Sequence, residues 1–314
     1  MTDQRENPGS TGPYPKVGII ILNWNNWPDT IQCIEALRIC SYPNKEIWIL
    51  DNGSQDESIN KLEKIENIHL LLLDKNYGFA AANNVGIRAA LEQACDYILL
   101  LNNDTELPRD FIQPLLEPFQ DDPQASVCSP KILYDAPAST IWYAGGKFRK
   151  PRIIGEMVGM GRPDQGQSNL LCQTDFAVGT CMLIKREIIE RIGLLDERFF
   201  FYHEDVDFCY RAKQAGYSIW YQPKSTIIHR VSSSTKKQPN KRIFLYQKAR
   251  VVFLCKHIRG IKIPMVIFME IIRLFRVIID GMMHLKMDLP RSYIDGLVAG
   301  LKESRSYFIK QNIL

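Results

Sequence analysis

The sequence predicts an α/β protein built on a mostly parallel, twisted sheet flanked by helices. Four short apolar runs open the sequence, at 16–22 (KVGIIIL), 46–51 (EIWILD), 68–73 (IHLLLL) and 96–101 (DYILLL). They are rich in Ile and Leu with little alternation, as strands covered on both faces are. Helical patterns separate them, and strand–helix alternation of this kind winds a parallel sheet in βαβ units.

Each element has its own local reason. The helix predicted over 28–39 opens with Pro28, suited to a first turn, and places Ile31, Ile34 and Leu37 on one face. A second, over 56–65, follows the turn DNGSQD and groups Ile59, Leu62 and Ile65, and an alanine-rich third covers 80–94. Residues 110–170 alternate Pro-rich and Gly-rich pieces with few periodic stretches, so loops over an open site are expected there. Order returns with a strand over 175–185, a short helix over 186–192 and a helix over 205–215 after RFFFYHED. Short strands follow at 218–222 and 226–229, the second ending at His229, and helices are predicted over 241–259, 263–285 and 291–304.

With 46% hydrophobic and 24% charged residues among 314, the composition is that of a globular chain and excludes disorder as a whole. No two of the eight cysteines have the spacing of a zinc ribbon or redox pair, so they read as reduced, mostly buried thiols of a cytosolic protein. Residues 1–15 read as a polar, loose tail with no apolar core of a secretory signal. From Lys236 onward sixteen Lys and Arg face five Asp and Glu, a net +11, leaving −7 on the rest. That basic end should seek an anionic partner. In its middle helix Glu270, Arg273, Arg276 and Asp280 recur every three or four residues, forming one stripe on an otherwise apolar surface. Four charges within eleven residues argue against a span and for a helix lying in a membrane interface or packed on the rest of the chain.

Ligands of open α/β sheets bind at the carboxyl ends of strands. Here those ends are Asn23-Trp24-Asn25, Asp51-Asn52-Gly53-Ser54, Asp74-Lys75-Asn76 and Asn102-Asn103-Asp104, all polar. One such group is ordinary turn chemistry, but four on one edge are less ordinary. Three further features ask for a common explanation: Asp104 after an apolar strand, His203-Glu204-Asp205 at a helix start and His229 at a strand end. A carboxylate and an imidazole, with positions left for phosphate oxygens, would suit Mn²⁺ or Mg²⁺. Taken singly, each also has a plain structural reading: a cap, dipole-matched acids and a core histidine.

The succession VGIIILNWNN, ILDNGSQD, NYGFAAANNVGI, LLLNNDTEL, GTCMLIKR and YHEDVDFCYRAKQAGY resembles the family 2 glycosyltransferases, in particular the bacterial rhamnosyltransferase-like branch, from about residue 16 to 235. The resemblance implies the nucleotide-diphosphosugar transferase (GT-A type) fold with a bound metal, over a catalytic domain at 16–238 followed by a basic, amphipathic helical region at 239–314. Asp51 matches the aspartate on the pyrimidine base, and Asn23, Asn76, Gly78 and Asn83 match positions lining nucleotide and sugar, with Asn103 beside them. Asp104 matches the second acid of the family's Asp-x-Asp metal motif, whose first acid is Asn102 here, a neutral ligand that lowers metal affinity until the diphosphate adds its charges. Asp205 matches the catalytic base, and His229 a histidine completing the metal site. Gly146, His203 and Glu204 are assigned loosely to sugar or acceptor.

The implied activity is inverting transfer of a sugar, a deoxyhexose such as rhamnose or a hexose, from a dTDP- or UDP-sugar to a glycan or polyprenol-linked saccharide in cell-envelope polysaccharide synthesis. One base opposite the leaving group implies the inversion. The expected place is cytoplasmic, peripheral on the inner face of the plasma membrane. A non-catalytic sugar-nucleotide-binding scaffold is the alternative, but the acids Asp104, Glu204 and Asp205 are all present. The glycines of residues 76–86 lack the G-x-G-x-x-G spacing of a dinucleotide site, no P-loop G-K-[ST] occurs, and no nucleic-acid partner is expected.

Overall fold

The computed structural model describes residues 14–149, 153–231, 239–260, 262–283 and 288–311. The predicted tail at 1–15 lies outside the described residues except for its last two. Those two are tied down, since the Tyr42 hydroxyl donates to Pro15 O at 2.6 Å and Asn44 Nδ2 to Tyr14 O at 2.9 Å.

The first half follows the predicted alternation: β1 (Val17–Asn23), α1 (Trp27–Arg38), β2 (Lys45–Asn52), α2 (Ser58–Leu62), β3 (His69–Leu73), α3 (Gly78–Glu92) and β4 (Tyr97–Asn102). Strands β3, β2, β1 and β4 lie side by side and parallel. Ile19, Ile20 and Ile21 of β1 are fully buried, so both faces of the sheet are covered and no polar alternation was available to the sequence. Helix α3 presses close to this sheet through Gly86, where a Cβ would stand 2.7 Å from Leu50 Cδ1 and 2.8 Å from Ile20 Cγ2.

The stretch at 110–170 is more ordered than expected. After β5 (Thr105–Glu106) come α4 (Ile112–Asp121), β6 (Ala125–Tyr134), β7 (Ile141–Tyr143), β8 (Gly146–Arg149) and β9 (Ile154–Met157). Strand β6 is ten residues long and sits inside the sheet despite Pro130. Proline inside α4, at Pro118, likewise hid a helix whose Ile112, Leu115 and Leu116 are buried. These breakers are tolerated because tertiary burial outweighs local propensity. The hairpin β8–β9 forms a small second sheet.

Beyond β10 (Cys172–Thr174) the expected strand over 175–185 is only β11 (Cys181–Lys185), and residues 175–180 are a loop. Then follow α5 (Arg186–Ile192), α6 (Glu204–Gln214) and β12 (Ser218–His229). The two short strands expected at 218–222 and 226–229 are one strand, with a register shift between Gln222 and Thr226 around Pro223. The main sheet is mixed, in the order β10-β12-β6-β11-β4-β1-β2-β3. Strand β11 is antiparallel to β4 and to β6, and β12 is parallel to β6. Two reversals restore direction, so β4, β6 and β12 end on the same edge as β1, β2 and β3.

Three helices close the chain, α7 (Pro239–His257), α8 (Lys262–Met283) and α9 (Asp288–Gln311). The domain boundary expected at 238/239 adjoins residues 232–238, which lie outside the described residues. Helix α9 packs on α7 through two glycines: a Cβ at Gly296 would stand 2.6 Å from Phe244 O, and one at Gly300 2.7 Å from Lys248 O. Among the described residues no helix is long and apolar enough to cross a membrane.

Candidate active site

The strand ends converge as a bonded polar edge. Pairing sets Asn23 beside Asp51 and Leu22 beside Asn102. Asp51 is fully buried and accepts Asn23 Nδ2 at 2.8 Å and the Ser54 N–H at 2.9 Å. The Thr30 hydroxyl donates to Asn23 Oδ1 at 2.7 Å and accepts Asn103 Nδ2 at 2.8 Å. A continuous network thus runs from the end of β2 through β1 and α1 to the end of β4, and satisfied buried networks of this kind are rigid.

The turn after β3 joins the same edge. Asn52 Oδ1 accepts the Tyr77 N–H at 2.9 Å and Asn52 Nδ2 donates to Asn76 Oδ1 at 3.2 Å, while Asn76 Oδ1 accepts the Gly78 N–H at 2.8 Å. Gly78 has φ +83°, and a Cβ there would stand 2.3 Å from Phe200 O, so only glycine fits. Phe200 O also accepts the Phe79 N–H at 2.7 Å. Asn84 then clasps the other end of that loop, donating to Leu195 O at 2.9 Å and accepting the Leu195 N–H at 3.1 Å. Asn83 turns its amide into its own helix, donating to Phe79 O at 2.9 Å.

The loop so held delivers the acid pair. Tyr202 and His203 take left-handed φ values of 74° and 69°, backbone strain kept by the surrounding contacts, and α6 begins immediately after them. Three acids, Glu204, Asp205 and Asp207, occupy the first turn, where the helix dipole favours negative charge. Asp205 accepts the Gly179 N–H at 2.9 Å and the Val206 N–H at 2.7 Å. Burial raises its carboxyl above the ordinary range, and these two donors partly offset that. Glu204 is 6% exposed, and its Oε2 is buried without a partner. Burial first, and then the charge on Asp205, pushes Glu204 well above the ordinary range. Asp205, with two aimed donors, is therefore the member that ionises first, and Glu204 keeps its proton longer.

The third group lies at the other flank of β4. His229 ends β12 opposite Thr105, and its Nε2 stands 3.1 Å from Asp104 Oδ1, both side chains less than a tenth exposed. His229 Nδ1 is buried without a partner, and the edge of Trp142 packs on the ring at 4.8 Å. Among the described residues no three His, Cys, Asp or Glu side chains form a metal site by themselves. One carboxylate and one imidazole with an unpartnered ring nitrogen are a donor set that suits a hard cation taking its remaining ligands from a bound diphosphate. The two flanks are linked through adjacent residues, because Asp205 holds the Gly179 N–H and Thr180 O accepts the Asn102 N–H at 2.9 Å.

The family model described as "Glycosyl transferase family 2" matches residues 18–193, more than half of the chain. The chain belongs to glycosyl transferase family 2. It is 30% identical over 213 residues to the low-salt glycan biosynthesis hexosyltransferase Agl10 of Haloferax volcanii, covering 65% of this chain and 63% of that protein. Less than two thirds of that relative's length is therefore spanned. It is 24% identical over 263 residues to the N-acetylglucosaminyl-diphospho-decaprenol L-rhamnosyltransferase of Mycobacterium tuberculosis, covering 77% of this chain and 85% of that protein. The solved mannosyltransferase PcManGT of Pyrobaculum calidifontis, in complex with GDP-Man and Mn²⁺, superposes with a TM-score of 0.58 at 14% identity, covering 94% of this chain and 91% of that one. That likeness shows the GT-A type fold.

For a family 2 chain, the matched span is informative: it covers the polar strand ends and Asp104 but ends before the acid pair and His229. Two of the loosely assigned residues have other visible company. The His203 ring packs against Tyr246 and Phe253 of α7 at 5.1 and 5.7 Å, and burial, helped by Arg250, lowers its pKa to about 3, so it is neutral. Gly146 is buried, exchanges hydrogen bonds with the Thr174 hydroxyl, and lies where a Cβ would be 2.5 Å from the Phe176 ring. The supporting roles of Thr30, Asn52, Asn84 and Gly179 were not assigned from the sequence, although Asn52 stood among its polar strand ends. Asn52, Asn84 and Gly179 stood inside quoted motifs, but their partners are remote in the chain, and Thr30 carried no local signal.

Proposed function

We propose that this chain transfers a sugar from a nucleoside diphosphate to a hydroxyl of a glycan or lipid-linked saccharide in cell-envelope polysaccharide synthesis. The sugar is a deoxyhexose such as rhamnose, or a hexose, carried on dTDP or UDP. The observation that carries this reading is Asp205 held on the Gly179 N–H, one residue from the carbonyl that accepts the Asn102 N–H at the end of β4, two residues before Asp104. Family membership and the L-rhamnosyltransferase relative support the choice of reaction.

In this reading Asp51, Asn23 and Asn103 bind the nucleotide at the strand ends, and Asn76 and Gly78 shape the wall beside the sugar. Asn83 completes that wall. Asp104 and His229, with the neutral oxygen of Asn102, would hold a divalent cation, Mn²⁺ or Mg²⁺. Bound there, it supplies positive charge opposite the leaving diphosphate. Asp205 accepts the proton of the acceptor hydroxyl as its oxygen bonds to the anomeric carbon and the bond from that carbon to the diphosphate oxygen breaks. A single base on the face away from the leaving group gives inversion. Glu204, which holds its proton longer than Asp205, is assigned with His203 and Gly146 to the sugar or acceptor side of the site.

The acceptor reading places the chain at the inner face of the plasma membrane, where its basic end, net +11 from Lys236 onward, meets anionic lipid. The test is incubation with a panel of dTDP- and UDP-sugars and Mn²⁺, measuring nucleoside diphosphate release. No release from any of them would overturn the transferase reading.

A further inference from the structure

Helix α8 is built inside out. Val266, Met269, Glu270 and Arg273, spaced as one helical stripe, turn toward the protein. Glu270 pairs with Arg250 of α7, itself 2% exposed, and Arg273 lies over the Tyr293 ring of α9 at 5.9 Å. The opposite face is apolar and stands in the open. Ile267, Phe268, Ile271, Phe275, Ile279 and Met282 are all exposed, Phe268 by 63% and Phe275 by 61%. A helix of a water-soluble protein has the reverse arrangement, and soluble monomers rarely leave a large contiguous apolar patch uncovered.

Charge identifies what covers this face. Lys262 and Arg276 are exposed on the same helix against one exposed acid, Asp280, and Arg259 is exposed just before it, so the exposed charge is net positive. A groove of about 390 Å³ lined by Met269, Ile272, Arg273 and Arg276 runs along the border of the two faces, where the exposed Arg276 guanidinium stands among aliphatic side chains, a combination suited to lipid phosphate above acyl chains. Since no described helix is long and apolar enough to cross a bilayer, the fitting geometry is a helix lying in the interface.

The surface is also mechanically joined to the candidate base. Asp207, two residues after Asp205 on α6, accepts Lys256 Nζ at 2.9 Å and His257 Nε2 at 2.7 Å, both from α7. We propose that α8 is a membrane-docking helix. Its apolar face sits among the acyl chains of an anionic phospholipid bilayer, with Lys262 and Arg276 at the level of the phosphates, and so holds the cleft beside a lipid-linked acceptor. The last clause rests on the acceptor reading above; the docking itself does not.

The test is flotation of the full chain with vesicles of phosphatidylcholine and phosphatidylglycerol, comparing wild type with Phe268→Glu/Phe275→Glu. Two carboxylates on the inserted face should weaken vesicle binding at least about tenfold, because each must be dragged out of water. Release of nucleoside diphosphate from a sugar nucleotide in the absence of vesicles should be unchanged. A second variant, Phe268→Trp, should show emission quenched by brominated lipid. Wild-type flotation by the double variant, or no quenching, would overturn the proposal. So would a wild-type dimer that ignores vesicles and that the double variant turns into a monomer, since a second copy would then be the occupant. Flotation through α8 by a chain that cleaves no sugar nucleotide would uphold docking and remove the transferase reading instead.

Discussion

The carboxylate of Asp207 is sealed from solvent and accepts His257 Nε2 at 2.7 Å, binding the helix that opens with Asp205 to the C-terminal helical layer. Lys256 Nζ and Arg211 Nε complete its shell at 2.9 and 2.8 Å. Burial alone would raise this carboxyl, but the His257 hydrogen bond and the Lys256 and Arg211 charges outweigh it and leave the pKa below the ordinary range. Asp207 is thus an ionised anchor, whereas its neighbours Glu204 and Asp205 are shifted upward.

Replacing Asp207 by Ala removes a buried carboxylate from two cations, leaving Lys256 with Asp196 and Arg211 with the carbonyls of Ile192 and Leu194. Breaking a buried pair in this way costs about 3–5 kcal/mol, and urea unfolding should show that loss. A loss below about 1 kcal/mol would mean that the junction between α6 and α7 is not held by this carboxylate.

Asp205→Asn keeps the shape of the side chain and removes its basicity. Sugar transfer should fall by about 10²–10⁴-fold, the usual contribution of a general base, while nucleotide affinity measured by calorimetry stays within about twofold. Near-normal turnover would remove Asp205 from the role of base.

Because burial raises the Asp205 carboxyl, the acid limb of transfer should lie above the pH at which an ordinary aspartate titrates. The base must be ionised to work, so activity is full above the raised pKa and is lost as pH falls through it. A pH profile of turnover whose acid limb sits at the ordinary aspartate value would contradict this.

Glu204 gives a stability counterpart. Its folded pKa is raised well above the ordinary 4.5, so the folded chain binds the proton more tightly than the unfolded one. Its destabilising effect is absent below the unfolded value and grows as pH rises toward the folded one. Glu204→Gln should therefore raise the melting temperature at pH 7.5 and leave it nearly unchanged near pH 4. Equal shifts at both pH values would show that titration is not the cause.

Chelation tests the Asp104–His229 pair. EDTA should suppress transfer and added Mn²⁺ or Mg²⁺ restore it, and Asp104→Ala should weaken Mn²⁺ binding measured by electron paramagnetic resonance in the presence of nucleoside diphosphate. Full activity in chelator would exclude a metal role for these residues.

The sequence by itself determined the β1-to-β4 wind, because runs such as KVGIIIL and YILLL must be buried on both faces and the turns between them are polar. It also placed Asp104, Asp205 and His229 at the ends of elements, since caps and strand ends have local chemistry. Tertiary structure alone decided the rest. Strand β6 carries Pro130 and α4 carries Pro118, breakers that only long-range packing can overrule. Helix α8 has a clear charge stripe in sequence, yet periodicity says nothing about which side meets the protein. Arg250 and Tyr293, far apart in the chain, turn Glu270 and Arg273 of that stripe inward and leave Arg276 and Asp280 exposed. The Gly179 N–H on Asp205 and the Asp104–His229 contact likewise depend on two sheet reversals, an arrangement fixed by pairings between residues 55 to 88 apart in the chain.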